Sequence, residues 1–77
     1  VKEVLEFVAR AIVDEPDAVE VTEVEGERSV VLQLRVAPDD MGKVIGKRGR
    51  TVRAIRSLVR AASSRQDVIP LVEIVED

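Results

Sequence analysis

The chain has 77 residues, a formal net charge of −3, no cysteine and no histidine. That length suits one small domain over residues 1–77 and leaves no room for a second core. The missing residue types exclude disulfide staples, thiolate zinc sites, cysteine nucleophiles and histidine general bases.

Hydrophobic residues make up 45% of the chain, enough for a modest core and too many for a disordered tail. Phe7 is the single aromatic residue. No run approaches the roughly 18 apolar residues of a membrane span, and no signal-peptide pattern opens the chain. A cytoplasmic protein with no membrane partner is the expectation.

In chain order, residues 1–13 carry Val1, Val4, Leu5, Val8, Ala9 and Ile12 at helical spacing, with Lys2, Glu3, Glu6 and Arg10 opposite. Phe7 and Ala11 sit at the edge of this stripe and widen it, either as the rim of the core or as a contact for a second subunit. Pro16 ends the helix. Val19 and Val21, with Val24 beyond them, alternate with Glu20 and Glu23 as in a half-buried strand. Residues 25–28 form a turn around Gly26. Val30, Leu32, Leu34 and Val36 then alternate with Val31, Gln33 and Arg35, which gives a second strand and a hairpin.

Pro38-Asp39-Asp40 closes that strand and offers a carboxylate cap to a helix start. Residues 41–45 make about one helical turn, and Gly46-Lys47-Arg48-Gly49 interrupts it. A long helix follows over residues 50–64, with Val52, Ile55, Val59 and Ala62 as its central stripe and Ala54, Leu58 and Ala61 beside it. Arg53, Arg56 and Arg60 share its other side. Residues 63–67 form a polar exit loop, and residues 70–76 alternate as a third strand. Helix, two strands, short helix, long helix and strand together describe a two-layer α+β domain.

Charge is unevenly spread along this order. Residues 41–65 hold eight of the twelve basic residues, three of the four glycines and none of the fifteen acids, a local +8 against −11 elsewhere. Lys43, Lys47, Arg48, Arg50, Arg53 and Arg56 belong to this stretch. Such a concentration is the footprint of polyanion binding at one place on an otherwise repulsive surface.

The glycine loop explains how a polyanion could be held. Gly46 and Gly49 leave the backbone bare on either side of Lys47-Arg48. The loop feeds the start of a long helix, where free N–H groups and the positive end of the helix dipole attract phosphate. Thr51 adds a hydroxyl in the first turn. Other phosphate loops fail on spacing. A P-loop needs four residues between its glycines and Ser or Thr after its lysine, whereas Gly42 and Gly46 are separated by three and Arg48 follows Lys47. A dinucleotide fingerprint would need glycine at Val44.

Val44-Ile45-Gly46-Lys47-Arg48-Gly49, set between a short and a long helix, resembles the signature of the KH domain, a module whose GxxG loop clamps four backbone nucleotides. The element order α-β-β-α-α-β resembles its type II, prokaryotic arrangement: a three-stranded mixed sheet, three helices on one face, the GxxG loop between the second and third helices, and the last strand parallel to the strand before the short helix. Over essentially its whole length the chain resembles the KhpA (YlqC-like) family of small bacterial KH-domain RNA-binding proteins. The resemblance implies that Gly46, Lys47, Arg48 and Gly49 hold the backbone of single-stranded RNA. It implies that Ile45 and Val44 support or line an apolar groove for the bases, and that Arg50, Thr51, Arg53 and Arg56 flank it. Gly42 would permit close packing of the short helix. The turn at residues 25–28 and the loop at residues 63–69 are both candidates for the far wall.

The resemblance also implies homodimers, or heterodimers with a larger KhpB/Jag-like KH protein. No cofactor is expected, and no spacing of carboxylates suggests a metal site. Two functions follow from different classes. One is a non-catalytic RNA binder of the chaperone or post-transcriptional regulator type. The other is a protein-interaction subunit acting mainly as a scaffold. An enzyme is the weakest reading, because the usual acid–base and nucleophile sets are missing and capping accounts for Asp39-Asp40.

Overall fold

A computed structural model describes residues 1–63 and 68–75. The elements are α1 (Lys2–Ile12), β1 (Glu20–Glu25), β2 (Ser29–Arg35), α2 (Met41–Ile45), α3 (Arg50–Ala62) and β3 (Ile69–Val75). Short 3-10 turns at Pro16–Ala18, Pro38–Asp40 and Lys47–Gly49 join them. The expected order holds, with ends displaced by one or two residues. Residues 64–67 of the expected exit loop, and Glu76 of the expected third strand, lie outside the described residues.

The sheet runs β1-β2-β3, with β1 antiparallel to β2 and β2 parallel to β3. A parallel pair needs a long crossover, and the segment containing α2 and α3 supplies it. Period-two alternation puts Val21 opposite Leu34, and Leu32 opposite Val72, on one face. These residues pack in a single buried cluster with Leu5 and Ala9 of α1, Val44 of α2, and Ile55 and Val59 of α3. All three helices therefore cover the same face of a mixed sheet. Among the described residues, no helix is long and apolar enough to cross a membrane.

Four expectations about packing need correction. Val24 does not join Val19 and Val21 on the inner face. It is an odd number of residues from Val21, lies in register with Val31 and is exposed on the open face. Ala62 is exposed at the last position of α3. Phe7 does not cover the core rim: it is 75% exposed, because Leu5 and Ala9 carry the inward face of α1.

The fourth concerns Asp40. It makes no side-chain cap for α2. Its φ of −96° and ψ of −5° continue the preceding 3-10 turn, whereas a capping residue is usually extended. Its carboxylate instead reaches back to the chain after α1. Oδ1 accepts from the Asp14 N–H at 3.2 Å and Oδ2 from the Glu15 N–H at 3.1 Å. At 2% exposure Asp40 is the one buried charged residue among those described. This joint anchors the start of α2 to the end of α1.

Candidate nucleic-acid interface

α2 is only five residues long and must stop at once for the loop to exist. Gly46 stops it. The Gly46 N–H closes the last helical bond onto the Gly42 carbonyl at 2.8 Å, and the chain then takes φ of 76° and ψ of 170°, open essentially to glycine alone. Space imposes the same choice. A Cβ on Gly46 would stand 2.2 Å from Thr51 Oγ1 and 2.8 Å from Thr51 N. Thr51 thus serves the loop directly: its side chain and amide lie against the bare face of Gly46.

The left-handed backbone continues beyond it. Arg48 has φ of 58° and ψ of 26°, and Gly49 has φ of 73° and ψ of 16°. For Arg48 this conformation costs roughly 1–2 kcal/mol. Gly49 differs from Gly46, since nothing approaches a Cβ there closer than 3.9 Å. Glycine at 49 answers a dihedral requirement, and glycine at 46 answers both a dihedral and a steric one. Gly42 answers neither. It is exposed, with no atom within 4 Å of an added Cβ, so it does not serve close packing of α2 as expected. It lies on the solvent side of that helix.

The loop delivers its basic residues outward. Lys47, Arg48 and Arg50 are exposed, while Gly46, Gly49 and Thr51 are half-buried beneath them. The first turn of α3 has no side-chain cap; its first N–H, that of Arg50, is taken by the Lys47 carbonyl, and the positive end of the helix dipole still faces the loop. Val44 and Ile45 separate: Val44 is fully buried in the core, and Ile45 is 39% exposed just before the loop. Of the two, only Ile45 is open to solvent.

Lys43, Arg53 and Arg56 are engaged by the protein. Arg53 donates from Nη2 to the Arg48 carbonyl at 2.5 Å and from Nε to the Gly49 carbonyl at 3.4 Å. Arg56 donates from Nη2 to the Val72 carbonyl at 3.4 Å, which ties α3 to β3. Lys43 pairs with Asp14, and this hydrogen bond raises its ammonium pKa above the usual lysine value. Desolvation opposes the rise, and the charges of Asp14 and Asp40 add to it. The six basic residues expected at the site therefore divide into a group at 47, 48 and 50 that points to solvent and a group at 43, 53 and 56 bonded to the protein's own acceptors. Sequence spacing missed this division, and its one local sign is the distance of four residues from Gly49 to Arg53.

Comparison with known proteins decides the family. The model of the KhpA/KhpB KH domain matches residues 2–74. The chain belongs to the KhpA/KhpB KH-domain family. It is 52% identical over 73 residues to the RNA-binding protein KhpA of Caldanaerobacter subterraneus subsp. tengcongensis, covering 95% of this chain and 97% of that one. It is 51% identical over 74 residues to the RNA-binding protein KhpA of Clostridium acetobutylicum, covering 96% and 99%. With the protein of that name from Aquifex aeolicus the identity is 45% over 75 residues, covering 97% and 95%. No solved structure matches the chain significantly. As a KH domain, this fold is the type II order expected from its sequence, with the glycine loop between the second and third helices.

Proposed function

We propose that this protein is a non-catalytic, cytoplasmic binder of single-stranded RNA that holds about four nucleotides on the loop Gly46-Lys47-Arg48-Gly49. One observation carries the reading. Two exposed cations stand between two glycines, directly over the uncapped start of a 13-residue helix. Bare backbone lets a phosphodiester chain approach, the positive end of the α3 dipole favours its charge, and Lys47, Arg48 and Arg50 neutralise it. Ile45 offers a base an apolar contact, and Thr51 holds Gly46 in place. The relatives' name, RNA-binding protein, supports the same function. Few phosphates are within reach, so the affinity of one copy falls with salt at a shallow logarithmic slope, on the order of two to four. A role as RNA chaperone or post-transcriptional regulator is in keeping with such modest binding.

The test is Lys47→Asp combined with Arg48→Asp. Affinity for a single-stranded RNA in a gel shift falls by at least about tenfold, as two phosphate contacts become repulsions. The circular dichroism spectrum and melting temperature stay near those of the parent. Parent-like affinity in the double variant would contradict the assignment.

A second reading is favoured by Phe7 at 75% and Leu58 at 50% exposure. Large apolar side chains so open to water suit a protein partner, either a second copy or a KhpB/Jag-like KH protein. Multivalency of that kind would raise the avidity of a weak clamp. Size measurement of the purified chain, alone and with Phe7→Ser, checks it: a dimer that the substitution disperses supports the reading, and a monomer in both cases argues against self-association.

A further inference from the structure

Arg48 is held in a left-handed conformation that an arginine does not choose alone. Thr51 fixes the Gly46 side of the loop, and something must fix the other. The guanidinium of Arg53 bonds to two consecutive carbonyls there, those of Arg48 and Gly49, the two left-handed residues in sequence. A planar fork that engages neighbouring peptide groups restrains both together, which a point-charge ammonium cannot do. The location is otherwise unfavourable for a cation, because a helix N-terminus repels positive charge. The two carbonyl bonds account for its presence.

We propose that Arg53 is a positioning residue for the loop: it sets the Arg48 and Gly49 peptide planes, and does not itself take up a phosphate. The proposal rests on the reading of residues 46–49 as the RNA clamp. It separates Arg53 from Lys47, although both are exposed cations in the same basic stretch. A phosphate contact releases counterions and adds to the salt dependence of binding. A positioning residue alters affinity and leaves that dependence unchanged.

The experiment compares Arg53→Lys, Arg53→Gln and Lys47→Gln with the parent. Each is titrated by fluorescence anisotropy with a labelled single-stranded RNA of mixed sequence over a series of salt concentrations. Both Arg53 variants should bind about threefold to tenfold more weakly, as suits loss of a net hydrogen bond, with the parent's salt slope. Lys47→Gln should weaken binding and lower the slope by about 0.7, the value for one contact to a single strand. In the free proteins, amide hydrogen exchange at residues 48–51 should quicken in both Arg53 variants, while exchange in the β2 core stays unchanged. Parent affinity in Arg53→Lys, a slope lowered by about 0.7 in Arg53→Gln, or unaltered loop exchange in both would overturn the proposal. If Lys47→Gln leaves affinity and slope unchanged, the clamp reading fails. The free-protein exchange still decides whether Arg53 restrains the loop.

Discussion

The two ends of α2 are held by different means. At its start, the buried Asp40 carboxylate binds two backbone N–H groups after α1, more than twenty residues earlier in the chain. At its end, Gly46 packs on Thr51, and Arg53 holds the Arg48 and Gly49 carbonyls from the exposed surface. One joint is buried and long-range, and the other is exposed and confined to about eight residues of chain. A buried charge-assisted joint fixes where α2 stands on the sheet. A solvent-facing local one fixes the loop's shape and leaves its cations in water. The glycine loop is thus locally braced on a platform fixed from across the fold.

Substitutions at each end break this comparison in order of expected effect. Gly46→Ala should be most damaging, since the new Cβ meets Thr51 and positive φ is strained as well; about 2–4 kcal/mol of stability is lost in a denaturant titration. Asp40→Ala leaves the Asp14 and Glu15 N–H groups without their acceptor and should cost about 2 kcal/mol. Gly49→Ala meets only the dihedral penalty, roughly 1–2 kcal/mol, and should therefore be milder than Gly46→Ala. Equal losses at 46 and 49 would remove the steric half of the account. Gly42→Ala should be neutral or stabilising by up to about 1 kcal/mol, because alanine favours helix and the site is open.

The smallest effect is electrostatic. The Lys43 pKa is raised in the folded chain, so its pairing with Asp14 contributes fully below the unfolded value near 10.5 and fades as pH rises through the higher folded value. Lys43→Met should lower stability only slightly in the neutral region, as suits so exposed a pair, and its difference from the parent should vanish once pH passes the folded value, which flattens the alkaline end of the profile.

Much of this was legible before the structure. Strict alternation from Val30 to Val36 reports a strand with one buried face, and the stripe of Val52, Ile55 and Val59 reports a helix over it. The glycine pair and the gathered cations mark the loop by composition alone. The hidden features are long-range or depend on phase. Asp40 reads as a cap because sequence shows only its neighbours, whereas its partners lie across the fold. Val24 and Gly42 are misread because their residue types suit the inside and their positions face out. Arg53, Arg56 and Arg60 share a helix face as expected, yet Arg53 and Arg56 bend to different acceptors. Side-chain direction at that level is decided by the carbonyls within reach.

The central claim is that single-stranded RNA sits on the loop between α2 and α3. The most direct measurement is an amide chemical-shift titration of the parent protein with a single-stranded RNA. The account predicts the largest changes at residues 46–51, with smaller ones at Ile45 and Arg53. Changes concentrated on the open sheet face around Val31 and Leu71, with residues 46–51 unmoved, would contradict it.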